Sequence, residues 1–295
     1  MIVNEQSHRN SIHLQDATVI SHEHYDGQQH ILRLSAPKCA ENASAGQFVH
    51  LQCDDLLPLR RPLSIMRSNK DSGTIDLLYK TVGYGTRLLT AKQAGDRLSL
   101  LGPIGQPFRL NEKRPERLLI GGGVGIPPMI FLAKYISEST TDHNNTLVLM
   151  GSEAPFPFSL VPSNLTVENM PDGTTSGISD LEHIDIASRL ASLQHFDGCY
   201  QGYVTDLGRK WLQSLDDVRI QRVEIFACGP LPMLKAVKDL SDDFGVRCQV
   251  SLEEHMACAV GGCAGCVVKV KTDKGSQMKR VCVDGPVFDA QQVYL

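Results

Sequence analysis

The sequence has no surplus of basic residues and no long uninterrupted apolar run, and each absence excludes a class of protein. Its 29 lysines and arginines are outnumbered by 33 aspartates and glutamates, which gives a formal net charge of −4. Nucleic acid is therefore excluded as the main partner, because no basic surplus exists to replace phosphate counterions. The most apolar stretch, 118–133, contains four glycines and two prolines and is too short to cross a bilayer. The start, MIVNEQSHRNSIHL, lacks the apolar core of a secretory signal, so we expect a cytoplasmic protein.

Length and composition predict a globular protein of about two domains with a small addition. The chain has 295 residues, of which 42% are hydrophobic and 21% are charged. Its nine cysteines need a separate explanation, because disulfides are rare in a reducing cytoplasm. Five are scattered and are expected to be small buried residues, but four crowd into 258–282. Such clustering indicates metal binding or catalysis.

The pattern of apolar and turn-forming residues changes near residue 117. Before it, short segments with partial apolar alternation end in Gly, Asp, Asn or Pro, which predicts an antiparallel barrel or sandwich. After it, apolar strands alternate with helical patterns, which is typical of an α/β domain with a parallel sheet. LTVENM at 165–170 is among these predicted strands, within a polar surface excursion at 153–183. The predicted fold is multi-domain, with an antiparallel β-barrel at 12–112, an α/β parallel-sheet nucleotide domain at 113–250 and a small cysteine-containing domain at 251–295.

The clustered cysteines are Cys258, Cys263, Cys266 and Cys282, spaced C-x4-C-x2-C with fifteen residues before the fourth. This layout is the plant-type [2Fe–2S] arrangement. The intervening alanines and glycines let the loop wrap a cluster and direct backbone N–H groups at its sulfurs. A structural zinc site also takes four thiolates, but such sites usually pair two C-x2-C motifs. The pattern therefore favours iron–sulfur over zinc, and over four merely buried cysteines.

A glycine loop follows the apolar run 118–120 and opens a helical pattern. Its members are Gly121, Gly122, Gly123 and Gly125. Glycines there let a dinucleotide pyrophosphate approach the backbone and the helix N-terminus. Because Ile126 stands where the strict fingerprint has its third glycine or alanine, a plain tight turn is an equal alternative.

Two further motifs are suited to nucleotide binding. Cys228, Gly229 and Pro230 end a predicted strand before a predicted helix, at the sheet edge where α/β folds bind ligands, although Cys228 alone also reads as a core residue. In RPLS, Arg61 offers a planar fork for a phosphate and Ser64 can donate a hydrogen bond to a ring nitrogen. Read alone, RPLS also fits solvated arginines beside an edge-strand proline.

Taken in order, RPLS, LYKTVGYGT, GPIG, GGGVG, CGP and the four-cysteine segment resemble the ferredoxin–NADP reductase superfamily. More narrowly, they are similar to the electron-transfer subunits of NAD-dependent (type 1B) dihydroorotate dehydrogenases. The resemblance runs from about residue 12 to Phe288, and KRVCVDGPVF is its most specific string. The short gap before the fourth cysteine separates this family from oxygenase reductases that carry a whole ferredoxin domain.

The resemblance implies that the barrel binds FAD, the α/β domain admits NAD and the small domain carries [2Fe–2S]. The implied FAD contacts are Arg61, Pro62, Leu63, Ser64, Leu78, Tyr79, Lys80, Gly85 and Thr86. The implied partner is an FMN-containing dihydroorotate dehydrogenase catalytic subunit, in a heterotetramer of two copies of each chain. Electrons would pass from that FMN through the cluster and FAD to NAD+, in pyrimidine biosynthesis. No side chain need act as acid, base or nucleophile, so no catalytic residue is predicted.

Two alternative functions stay open at this point. An NADH-dependent reductase that delivers electrons to a ferredoxin, hydrogenase or oxygenase would need the same cofactors. A zinc-dependent or redox-sensing binding module would need no flavin. Pro127 and Pro128 depart from the expected Ala-Pro after the glycine loop, and no residue can be assigned to distinguish NAD from NADP.

Overall fold

The computed structural model describes residues 11–295, so most of the segment used to exclude a secretory signal lies outside the described residues. The described residues form two compact units. One comprises the chain up to Pro107 together with Glu253–Val287, and the other comprises Phe108–Leu252 with Phe288–Leu295. The predicted domain limits stay predictions, because compactness alone does not define a folding domain. Within residues 11–295, no helix is long and apolar enough to span a membrane.

The first unit contains the barrel and the cysteine-containing segment. Its strands and helices are β1 His13–Tyr25, β2 Gln29–Ser35, α1 Pro37–Asn42, β3 Phe48–Leu51, β4 Arg61–Asn69, β5 Thr74–Lys80, α2 Tyr84–Leu89, β6 Arg97–Ile104, β15 Val267–Thr272 and β16 Gly275–Arg280.

The predicted antiparallel barrel is confirmed. It closes in the order β1-β2-β5-β4-β3-β6, and every neighbouring pair is antiparallel. Alternate residues of each strand point inward, so Leu32, Leu34 and Leu77 are fully buried. Closure leaves no unpaired strand edge. The barrel is therefore a rigid support for the motifs at the strand ends.

The second unit is a parallel sheet with helices between its strands, as predicted. Its elements are β7 Glu116–Gly122, α3 Ile126–Ser139, β8 Thr146–Gly151, β9 Leu160–Pro162, β10 Ser176–Ile178, α4 Ser179–Glu182, β11 Ala187–Ser192, β12 Tyr200–Gln201, α5 Val204–Gln213, α6 Asp217–Ile220, β13 Val223–Cys228, α7 Leu231–Phe244, β14 Arg247–Ser251 and β17 Val287–Asp289.

The order of this sheet is β12-β11-β8-β7-β13-β14-β17, with parallel pairing from β12 through β14. Every residue of β7 is buried, which explains why its middle, residues 118–120, is a continuous apolar run rather than an alternating one. The chain builds outward from β7 through β8 and then returns to β13 on the other side. The carboxyl ends of β7 and β13 therefore form the switch point at which such sheets bind ligands.

The prediction of a strand at 165–170 is wrong. That segment is irregular, and Asn169 has a left-handed backbone at φ 56°. The strand that enters the sheet is β11, which the apolar pattern did not indicate because it buries Ser188 and Arg189. Arg189 donates from Nη1 to the carbonyl of Ser188 and from Nη2 to the carbonyl of Leu165, at 2.6 Å each, while its buried Nε has no hydrogen-bond partner among the described residues. The excursion at 153–183 contains the small hairpin β9–β10 and the whole of α4.

Candidate functional site

The fifteen-residue gap in the cysteine motif is a β-hairpin. Cys266 directly precedes β15, and one residue separates Cys282 from the end of β16. The hairpin therefore brings Cys282 back beside Cys266. The backbone N–H of Val281 donates to the carbonyl of Cys266 at 2.9 Å. The Sγ atoms of Cys266 and Cys282 are consequently 3.4 Å apart. A short gap suffices because a two-residue turn joins the paired strands.

The loop that carries the first two cysteines directs backbone N–H groups at sulfur. The N–H of Cys263 lies 3.4 Å from Cys258 Sγ, and the N–H of Gly265 lies 3.4 Å from Cys263 Sγ. Burial would raise the pKa of Cys258, but the N–H groups of Cys263, Val260 and Gly262 outweigh it and lower that pKa to about 7. The thiolate, which is the ligating form, is therefore favoured at this sulfur.

This loop needs small residues because its backbone is left-handed at three positions. Ala259, Gly261 and Ala264 have φ values of 56°, 86° and 54°. A side chain longer than alanine would add to the strain of that conformation. Arg280 fixes the loop by donating from Nη1 to the carbonyl of Gly261 at 3.1 Å.

The four cysteines fit an iron–sulfur cluster. Burial and the neighbouring Cys266 thiol raise the pKa of Cys282, so two thiolates at this spacing need a cationic centre between them. The directed N–H groups at Cys258 and Cys263 are the contacts that tune the potential of such clusters. All nine cysteines of the chain lie in its described part and are free thiols.

The cysteine segment is attached to the end of β6 through the GPIG and VDGP strings. The N–H of Gln106 donates to the carbonyl of Gly285 at 2.6 Å, and its side-chain amide donates to the carbonyl of Val283 at 3.3 Å. A Cβ on Gly105 would collide with the ring of Pro286. Glycine is therefore required where the barrel meets the strand that follows Cys282.

On the barrel, the structure brings together Arg61, predicted to bind a phosphate, and Gly85 and Thr86, predicted to contact FAD. The guanidinium of Arg61 lies over Gly85, at the start of α2. Thr86 is buried, and its Oγ1 accepts hydrogen bonds from the N–H groups of Val82 and Gly83 at 3.0 and 3.1 Å. Arg61 Nη1 also donates a hydrogen bond to the carbonyl of Leu59 at 2.9 Å, which fixes the side chain.

The other predicted FAD contacts divide into two groups. Pro62, Leu63 and Ser64 are half-buried on β4, which leaves them partly accessible to a ligand. Leu78 and Tyr79 are buried and Lys80 is exposed. The Tyr79 hydroxyl lies 2.9 Å from Nε2 of His22, so it is engaged within the barrel. The FAD roles of both groups stay predictions.

In the second unit, the glycine loop and the CGP motif lie side by side. Gly121 pairs with Cys228 across β7 and β13, and a Cβ on Gly125 would collide with the carbonyl of Cys228. Gly123 has φ +55° and faces open space. Gly122 and Gly229 both pack on the end of the Met233 side chain, which would have to move to make room for a Cβ at either position. Pro230 follows as the residue before α7.

The first turn of α3 has fewer free donors than the sequence argument assumed. Helices usually present four unpaired N–H groups at this end. Pro127 and Pro128 carry no N–H, and the N–H of Ile126 is used by the carbonyl of Gly123. Any pyrophosphate contact here therefore depends on the glycine loop itself, and the nucleotide role of these residues stays a prediction.

Two histidine features escaped the sequence reasoning. His50 on β3 is fully buried, and neither ring nitrogen has a hydrogen-bond partner of good geometry. Burial is the main cause that lowers the pKa of His50 to about 4, and the charge of Arg60 is the second. The nearby Met256 backbone opposes part of that shift. No sequence pattern around His50 indicates that it is buried.

The second feature is a cluster of His22, His24 and His30, which the alternation H-x-H before a hairpin indicates.

Comparisons with known proteins agree with this geometry. Residues 253–294 match the family described as "Iron-sulfur cluster binding domain of dihydroorotate dehydrogenase B", and residues 11–108 match "Oxidoreductase FAD-binding domain". The protein named "Dihydroorotate dehydrogenase B (NAD(+)), electron transfer subunit" from Geobacillus thermodenitrificans (strain NG80-2) is 35% identical over 285 residues, which cover 94% of this chain and 97% of the relative. The protein of that name from Geobacillus sp. (strain WCH70) is 33% identical over 284 residues, again covering 94% and 97%.

Solved structures share the fold. A structure of the NADH-dependent reduced ferredoxin-NADP oxidoreductase aligns with a TM-score of 0.73 at 24% identity, covering 94% of this chain and 89% of that chain. The ferredoxin reductase in carbazole 1,9a-dioxygenase gives a TM-score of 0.60 at 20% identity, covering 80% and 67%. At these identities the likeness concerns architecture alone.

A FAD-binding barrel, a parallel α/β sheet and a four-cysteine iron–sulfur segment define an electron-transfer oxidoreductase. The predictions of FAD and an iron–sulfur cluster are confirmed at the level of these domains. The chain belongs to the family of dihydroorotate dehydrogenase B electron transfer subunits. As an electron transfer subunit, it works with a catalytic partner subunit.

Proposed function

We propose that this chain carries electrons to NAD+ from a catalytic subunit that oxidises dihydroorotate. Oxidation of dihydroorotate to orotate releases two electrons and two protons. NAD+ takes up both electrons with one proton, and the second proton goes to solvent. The proposal of NAD+ as acceptor is supported by the names of relatives that match 94% of this chain.

One observation carries the proposal: the four cysteines lie in the same compact unit as the FAD-binding barrel, with the Sγ atoms of Cys266 and Cys282 3.4 Å apart. When bound, the cluster carries single electrons, and the flavin can exchange single electrons with it and a pair with nicotinamide. The task of the protein is to position and tune these groups. A module that binds zinc without turnover would have no use for the Arg61–Gly85 arrangement on the barrel.

Named residues would hold each group. Cys258, Cys263, Cys266 and Cys282 would ligate the iron, and the N–H groups of Cys263 and Gly265 would favour added negative charge on the sulfurs. Arg61 would pair with a flavin phosphate through its planar guanidinium. We further propose that the partner contains FMN and assembles with this chain as two copies of each. A reducing cytoplasm is the proposed location, because none of the nine cysteines, all of which are described, is in a disulfide.

The test is reconstitution from purified parts under argon. The chain should contain about two irons and one FAD, because a [2Fe–2S] cluster needs two irons on four thiolates. Mixed with the FMN-containing catalytic subunit of its own organism, it should reduce NAD+ on addition of dihydroorotate, while neither subunit alone should do so. A colourless chain with one zinc would contradict the proposal. Reduction of a ferredoxin by NADH, with no NADH formed from dihydroorotate in the mixture, would support the reductase alternative instead.

A further inference from the structure

Three of the ten histidines of the chain meet at one end of the barrel. His22 and His24 lie on the same face of β1, because side chains two residues apart on a strand point the same way. His30 on β2 is the cross-strand neighbour of His24. One ring nitrogen from each residue can be chosen so that all three atoms lie within 4.8 Å of one another.

Hydrogen bonds orient the rings of His22 and His30, and the one to His22 also fixes its tautomer. His22 Nδ1 lies 2.8 Å from the carbonyl of Lys92, which can only accept, so Nδ1 carries the proton and Nε2 has a free lone pair. That lone pair accepts from the Tyr79 hydroxyl at 2.9 Å. His30 Nε2 contacts Thr81 Oγ1 at 2.8 Å, which can accept its proton and leave Nδ1 free. Carbonyl and hydroxyl partners of this kind orient histidine ligands in metal sites.

The inner nitrogens of the other pair share a proton. His24 Nδ1 and His30 Nδ1 are 2.7 Å apart, so one must be protonated and the other must accept. The rings of His24 and His30 meet edge-on, with centroids 4.8 Å apart and planes at 80° to one another.

We propose that His22 Nε2, His24 Nδ1 and His30 Nδ1 form a binding site for a divalent transition-metal ion, with Zn²⁺ as the best fit. Three neutral imidazoles suit Zn²⁺, and a tetrahedral Zn²⁺ with Zn–N distances of about 2.0 Å would hold its nitrogens about 3.3 Å apart. The 2.7 Å pair must then separate slightly, which exposed His24 allows. The ion would replace the shared proton, and His24, which is exposed, would take up a proton from solvent at Nε2, so that all three rings stay neutral and no net proton is released.

Water is the fourth ligand in this proposal. Tyr79 would release His22 Nε2, but burial raises the pKa of its phenol and keeps it a poor anionic ligand. His24 is exposed, so water reaches the site from that side. The site is separate from the four cysteines, and it would fasten β1 to β2 where β2 pairs with Tyr79 and Lys80 of β5.

The test uses the complete chain with its iron–sulfur cluster and FAD loaded, so that the cysteines are occupied. Titration with Zn²⁺ should give one bound zinc per chain with no loss of iron, and Co²⁺ should give the visible absorption of a tetrahedral nitrogen site. His24→Gln and His22→Gln should each weaken Zn²⁺ binding by about tenfold or more, since even partners of ligands contribute that much. His195→Gln is the matched control, because that side chain is 83% exposed and lies outside the cluster.

Three outcomes would overturn the proposal. These are no zinc uptake by the loaded wild-type chain, equal uptake by His24→Gln, and uptake that displaces iron. Circular dichroism and FAD content, measured on each variant, establish that a loss of zinc binding is not a loss of folding. His24 is the primary variant because its exposed side chain makes misfolding the smallest concern.

Discussion

The guanidinium of Arg61 lies against the backbone of Gly85, and a Cβ built on Gly85 would fall 2.9 Å from Arg61 Nε. The contact joins the RPLS strand to the start of α2, two segments that are separate in sequence. Glycine at 85 therefore does more than permit a turn. It makes room for the arginine that we expect to contact a flavin phosphate.

The first prediction follows from that contact. Gly85→Ala should displace the Arg61 side chain and weaken FAD binding, and Arg61→Ala should weaken it by about tenfold or more, because a charge-assisted hydrogen bond contributes about 1.5–3 kcal/mol. FAD content after gel filtration and the dissociation constant of the apoprotein measure the effect. Gly83→Ala is the control, because a Cβ there meets nothing within 4 Å. Equal losses in Gly83→Ala and Gly85→Ala would remove Arg61 from the explanation.

The second prediction concerns the cluster. Cys266→Ser should abolish iron binding, because it removes one of two thiols whose sulfurs are 3.4 Å apart at the base of the hairpin. The barrel residues remain, so FAD should stay bound. Iron analysis and visible absorbance measure the first effect, and flavin fluorescence after denaturation measures the second. Cys199→Ser is the control, since Cys199 lies in the other compact unit.

Loss of FAD together with iron in Cys266→Ser would mean that the cysteine segment and barrel do not fold separately. The hydrogen bonds between Gln106 and the VDGP string give that outcome a physical route. Full iron retention would contradict the ligand assignment itself.

The parts of this molecule that could be predicted from sequence are those that local chemistry determines. Alternation and turn residues indicated the barrel strands. β7 was recognisable from the apolar run 118–120, which burial on both faces favours. The cysteine spacing indicated the cluster, since spacing determines which thiols can meet. The CGP motif was predicted to end a strand and precede a helix, and α7 begins directly after Pro230.

What could not be predicted depends on partners distant in sequence. β11 was missed because Arg189 is buried, and it is tolerated only because Leu165 and Ser188 supply carbonyl acceptors. His50 was missed because its burial depends on the closure of the barrel around β3. The two prolines that lower the number of free N–H groups at α3 are present in the sequence. Their effect could be judged only once the structure showed that they lie in the first turn of the helix.

The third prediction separates the two interpretations of the glycine loop. A Cβ on Gly125 would strike the carbonyl of Cys228, where backbone cannot yield, so Gly125→Ala should lower the unfolding free energy by about 3 kcal/mol or more. Gly123 faces open space, so Gly123→Ala should cost only the left-handed backbone penalty of about 1–2 kcal/mol. Urea unfolding measures both. If the loop binds the nucleotide, Gly123→Ala should also raise the KM for NAD+; an unchanged KM would favour the plain tight turn.

The last prediction concerns pH and His50. Its pKa is lowered from 6.5 to about 4 in the folded protein, chiefly by burial. Between these values the unfolded chain binds a proton that the folded chain does not, so the free energy of unfolding should fall as the pH drops from about 6.5 to about 4. The contribution is fully present above that window and amounts to at most about 3 kcal/mol. His50→Gln should flatten this part of the pH profile, whereas exposed His195→Gln should leave it unchanged.

Urea midpoints, measured at saturating FAD across this pH range, compare the three proteins. The contribution of titrating carboxylates is the same in all three and cancels in the differences between them. Parallel profiles for wild type and His50→Gln would mean that the buried imidazole has a partner in solution, because only a compensating contact could restore its ordinary pKa.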